Sequence, residues 1–96
     1  MLKHVVFFKF KPEATEAQRQ EMRAALDALA RTVPEVKALK TFLKAPGAAE
    51  RVYHLGLFSE FADLAALDRY IVHPDHQKVV KLIDACCETR ASFDYE

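Results

Sequence analysis

Tyr70, His73 and His76 recur at three-residue intervals in the stretch YIVHPDHQ, Tyr70 to Gln77, with Pro74 between the two histidines. Several chemistries suit those residue types. An imidazole near neutral pH is a general base or acid, and a phenol beside it is a donor to a developing oxyanion. Two imidazoles are also half a metal site. A histidine before proline has a structural use as well, because the preceding residue is pushed out of the α region and becomes the natural cap of the helix that follows.

Pro74 divides these roles. It predicts one helix ending at Tyr70 and Ile71, His73 at the cap of the next, Pro74 as its first residue and His76 in its first turn. That break counts against a metal, since the familiar zinc pair is four apart on one helical face with further ligands nearby. His76 suits a base. The partial positive charge of a helix N-terminus disfavours imidazolium and lowers its pKa, while Asp75 pulls the other way. A purely structural corner, in which His73 caps and His76 and Tyr70 bond to one another or to His4, stands beside the acid–base and metal readings.

The elements that must position these residues follow from periodicity. Leu2 to Phe10 predicts a strand with Leu2, His4, Val6, Phe8 and Phe10 on one face and Lys3, Val5, Phe7 and Lys9 on the other. TEAQ, Thr15 to Gln18, is a capping box opening a helix whose buried stripe is Met22, Ala25, Leu26, Leu29, Ala30 and Val33. Val36 to Lys44, punctuated by lysines, predicts an edge strand. After the Pro-Gly turn in APGAAE, Val52 to Phe61 predicts a longer strand, with Leu55, Leu57 and Phe61 opposite Val52, His54 and Phe58. Gly56 within it marks a bulge or a close approach of side chains. Asp63 caps the helix that leads to Tyr70. Val79, Val80, Leu82 and Ile83 form the apolar face of the next helix, and TRASFDYE closes the chain as a strand with Ala91, Phe93 and Tyr95 on one side.

The order βαββααβ, with strands apolar on both faces and helices enough for one, predicts an α+β split βαβ sandwich. Its open sheet face calls for a second copy, since a monomer would expose a patch built from residues such as Val5, Phe7, Leu55 and Leu57. Bulk properties agree with one domain, residues 1–96. Fourteen basic and fourteen acidic residues cancel, which leaves no electrostatic footprint for nucleic acid or an anionic membrane. No apolar run approaches the ~20 residues of a spanning helix, and the start reads as no signal peptide, so the expected location is the cytoplasm. Adjacent Cys86 and Cys87 cannot easily bridge each other and have no distant partner, which predicts buried reduced thiols. There is no phosphate loop and no nucleophile elbow.

HVVFFKFKP (His4 to Pro12), VYHLGLFSEF (Val52 to Phe61), LDRYIVHPDHQ (Leu67 to Gln77) and the terminal FDYE resemble the stress-responsive A/B barrel domain family of the dimeric α+β barrel superfamily. The resemblance covers essentially the whole chain. It implies a ferredoxin-like protomer with an antiparallel sheet that joins its mate's in a barrel, hence a homodimer. It also implies a pocket between sheet and helices approached by Tyr70 and His76, with His4, His54 and His73 as further contacts. The family includes proteins associated with stress and at least one plant polyketide cyclase, so two functions are expected of the chain. One is binding of a small apolar or aromatic molecule with no assigned reaction. The other is a cofactor-independent, metal-independent aldol cyclisation with His76 as base and Tyr70 as oxyanion donor. Haem-degrading relatives elsewhere in the superfamily keep a haem or metal binder as a third.

Overall fold

Thr15 starts the first helix with both halves of its capping box: the hydroxyl accepts from the Gln18 N–H at 3.1 Å, and Gln18 Oε1 accepts from the Thr15 N–H at 2.8 Å. In the computed structural model, which describes all 96 residues, the elements run β1 (Leu2–Phe10), α1 (Glu16–Thr32), β2 (Ala38–Leu43), β3 (Leu55–Phe61), α2 (Leu64–Val72), α3 (Pro74–Cys86) and β4 (Cys87–Tyr95). This is the ferredoxin-like α+β order expected from the pattern. The four strands form one antiparallel sheet in the order β2-β3-β1-β4, with β1 and β3 central. No helix is long and apolar enough to cross a membrane.

Register decides which side chains meet the helices. Leu2 pairs with Phe61, Val6 with Leu57 and Phe8 with Leu55, so even-numbered residues of β1 and odd-numbered residues of β3 share one face. On that face Leu2, Phe8, Leu55, Leu57 and Phe61 are buried against Met22, Leu26 and Leu29 of α1, Leu67 and Tyr70 of α2, and Val79 and Ile83 of α3. Leu55 and Leu57 therefore belong to the core, which corrects the expectation that they would lie on the open face. Strand β3 also starts three residues later than the apolar run suggested, at Leu55 rather than Val52.

The other face is open and aromatic. Phe42, Phe58 and Phe93 are 54%, 44% and 64% exposed, and Phe58 meets Phe7 and Phe42 edge to face at centroid separations of 6.2 and 5.8 Å. Gly56 lies beneath two of these rings: a Cβ there would stand 3.1 Å from Phe58 and 3.5 Å from Phe7. The close approach is the reason for glycine at this position, since the pairing of β1 with β3 runs past it without a bulge.

Two polar residues are buried in the sheet, Thr41 and Ser59, and both are satisfied. Thr41 Oγ1 donates to Asp27 at 2.8 Å and accepts from Arg23 Nε at 3.0 Å, while Arg23 Nη2 reaches the Thr41 carbonyl at 3.1 Å. This cluster ties the middle of α1 to the edge strand β2. Thr41→Val keeps the shape and leaves Arg23 Nε and Asp27 Oδ1 without their partner, so a loss of about 1–3 kcal/mol is expected in urea or thermal unfolding. An unchanged midpoint would mean that water replaces the hydroxyl at no cost.

Cys86 is buried in the core, and Cys87 packs its thiol 3.6 Å from the Met22 sulfur. Both are free thiols. Burial raises both pKa values, that of Cys87 to about 12, so neither is a ready thiolate.

Candidate functional site

The corner between α2 and α3 is built as Pro74 dictates. His73 is the cap shared by both helices: its N–H donates to the Tyr70 carbonyl at 3.1 Å, and its Nδ1 accepts from the Asp75 N–H at 3.1 Å. Asp75 leans toward His73, with Oδ2 4.0 Å from Nδ1.

One turn on, His76 Nδ1 lies 2.9 Å from the carbonyl of Ile71, near the end of α2, where helical partners run out. Gln77 donates to the same oxygen at 2.7 Å. A carbonyl only accepts, so the proton of the neutral imidazole sits on Nδ1 and the lone pair on Nε2. Burial, first, holds His76 below the ordinary histidine pKa, with the Arg90 charge acting in the same direction, against the opposing pull of the Ile71 hydrogen bond. The helix N-terminus at His76 acts in the same direction, but desolvation is the largest cause.

Tyr70 is buried, its ring 4.9 Å from that of Phe61 and 4.5 Å from that of His76. Burial pushes its pKa up to about 12, which keeps the phenol protonated. Its hydroxyl has no hydrogen-bond partner in the protein and is not sealed away from solvent.

Tyr70 and His76 open onto a cavity of about 350 Å³ between the helices and the sheet. His4 reaches it from β1, with Nδ1 hydrogen-bonded to Asp94 Oδ1 of β4. Most of the remaining wall is apolar, from Val6, Phe8, Leu57, Ile71, Val80 and Ile83. Arg90 and Ser92 of β4 complete it. Sequence reasoning passed over these two and over Asp94, although a signal existed: Arg90, Ser92 and Asp94 alternate with the apolar Ala91, Phe93 and Tyr95.

The structure does not bring His54 or His73 to this wall. His73 is spent on the cap. His54 precedes β3, accepts from the Phe10 N–H at 2.9 Å through Nδ1 and stacks on the Phe10 ring, at a separate groove lined by Arg19, Arg23 and Lys44. Burial, then Lys44, Arg19 and Lys9, lower its pKa. No three His, Cys, Asp or Glu side chains converge as a metal donor set.

Residues 2–96 match the model of the stress responsive A/B barrel domain. The chain belongs to this family. Among curated proteins none matches. Of solved structures, a dimeric ferredoxin-like protein of unknown function from a Jannaschia species is 29% identical, with 99% of this chain and 97% of that one aligned at a TM-score of 0.82. A dimeric ferredoxin-like protein of unknown function from Bacteroides fragilis is 25% identical over 99% and 94% of the two chains, at 0.85. A hydroxynitrile lyase from Passiflora edulis, 21% identical over 98% and 90%, superposes at 0.86 and shares the fold. These proteins share one scaffold, and a shared scaffold does not fix the chemistry.

Proposed function

We propose that this stress responsive A/B barrel domain binds a small, largely apolar or aromatic carbonyl compound and carries out cofactor-independent acid–base chemistry on it, with His76 as base and Tyr70 as oxyanion donor. One observation carries the reading: the Ile71 carbonyl holds the His76 proton on Nδ1, which leaves Nε2 unprotonated beside a protonated Tyr70 that has no protein partner. A cavity of about 350 Å³ is within the usual ~300–1,000 Å³ of ligand sites.

In this mechanism Nε2 takes a proton from the carbon α to the carbonyl. The C–H electron pair moves toward the carbonyl oxygen, which becomes an oxyanion and accepts from the Tyr70 hydroxyl. The enolate then either recovers a proton from the imidazolium or attacks a second carbonyl of the same molecule, where the new alkoxide takes that proton. Asp94, bonded to His4, orients the second imidazole at the cavity wall.

The working unit in this reading is a homodimer, closed over the open aromatic face. That face and the dimeric Jannaschia and Bacteroides fragilis relatives support it. Two free thiols, one sealed in the core, support a reducing compartment, the cytoplasm.

The decisive measurement is an NMR titration of the four histidines with and without a set of aryl ketones. His76 should titrate below 6.5, and its Nε2 resonance should respond to bound ketone. A His76 that titrates as a free imidazole and that no ketone perturbs would end the proposal.

A further inference from the structure

The helix-side face of β4 is chemically unlike the rest of the cavity. Phe8, Val6 and His4 of β1 stand opposite Arg90, Ser92 and Asp94 of β4. Arg90 and Ser92 thus line one edge of a chamber whose other walls include the apolar Leu26, Leu57, Val80 and Ile83, and Asp94 stands next along the strand. Asp94 is engaged by His4, whereas the Ser92 hydroxyl bonds to no protein group. Arg90 has a single ion pair, 3.8 Å to the exposed Asp84, which is long for a charge-assisted hydrogen bond. Its planar fork of donors is available to another acceptor.

We propose that Arg90, assisted by Ser92, is a specificity residue that selects a ligand bearing a carboxylate, so that the compound taken up is a small aryl or alkyl keto acid. The carboxylate sits against the Arg90 guanidinium, the apolar body against Val6, Phe8, Val80 and Ile83, and the carbonyl at the His76 and Tyr70 end. Only the position of the carbonyl rests on the acid–base reading above. On binding, Arg90 exchanges a loose, solvent-exposed pair with Asp84 for a bidentate one at an apolar wall, where charge is screened less. The other carboxylate on this face of β4, Asp94, is already paired with His4 and repels an incoming anion less than a free one would.

The test uses 4-acetylbenzoate and its neutral isostere 4-acetylbenzamide, each with a ketone methyl that exchanges in D2O. By calorimetry at low salt the carboxylate is expected to bind roughly tenfold more tightly than the amide, the scale of one charge-assisted contact. Arg90→Gln should erase the difference, and Arg90→Lys should restore part of it, since the charge returns without the fork. Arg90 is exposed, so neither change threatens the fold. Equal binding of the two probes, no binding of either, or a preference that survives Arg90→Gln overturns the proposal. Methyl exchange reports separately on the acid–base reading. A carboxylate preference that depends on Arg90, without exchange, keeps the specificity site and removes the base. Exchange of both probes with no preference does the reverse.

Discussion

His76→Ala is expected to slow methyl proton exchange in a bound aryl ketone by about 10²–10⁴-fold, the range for loss of a positioned general base. One hydrogen bond sets up the base. Ile71 sits where α2 runs out of helical partners, and its carbonyl fixes the tautomer in which Nε2 is basic. Tyr70→Phe should cost about 10²-fold by removing a donor to the oxyanion, and it should leave stability nearly unchanged because the hydroxyl has no protein partner to lose. The pH profile separates the two roles. A base works when deprotonated, and burial lowers the His76 pKa from 6.5, so the rate should fall with acid around a midpoint below 6.5 and be flat through neutrality. With the Tyr70 pKa near 12, no alkaline fall belongs to Tyr70 in the ordinary assay range. An acid limb centred above 6.5, or a His76→Ala variant with undiminished exchange, would remove His76 as the base.

Phe58→Asp should convert a species of twice the 10.9 kDa chain mass into one of the single mass in sedimentation at micromolar concentration. Phe58 stands at the centre of the open face, touching Phe7 and Phe42. In a two-fold dimer each substitution counts twice, and an unpaired carboxylate taken into an apolar interface costs several kcal/mol. Leu64→Asp is the control. Leu64 is also a large exposed apolar residue, but it opens α2 on the helix side, so its substitution should leave the dimer intact. Dissociation by both variants, or by neither, would argue against the sheet face as the interface.

Much of the scaffold was legible because its signals are local. Thr15 with Gln18, Asp63, and His73 with Pro74 each announce a helix start through one or two hydrogen bonds within a few residues, and each forms as expected. The alternation in β1 named its faces correctly. What alternation left open was the relation between strands. Leu55 and Leu57 looked like candidates for a partner's surface until pairing with β1 turned odd-numbered residues of β3 toward the helices. A pattern of period two defines two faces and carries no label for which one a distant helix will cover.

The site divides along the same line. From sequence alone came the helix corner, the cap role of His73, the start of a helix at His76, and Tyr70 one element earlier, because proline constrains its neighbours whatever surrounds them. The family resemblance implied one pocket for Tyr70, His76 and His4, but only the tertiary structure decided that His54 faces a different groove and that Arg90 and Ser92 supply a polar wall beside the His4–Asp94 pair. Those relations join β1, β4 and the α2–α3 corner across as many as 90 residues of chain, as the bond between His4 and Asp94 does, and they arise from packing and register rather than from local propensity.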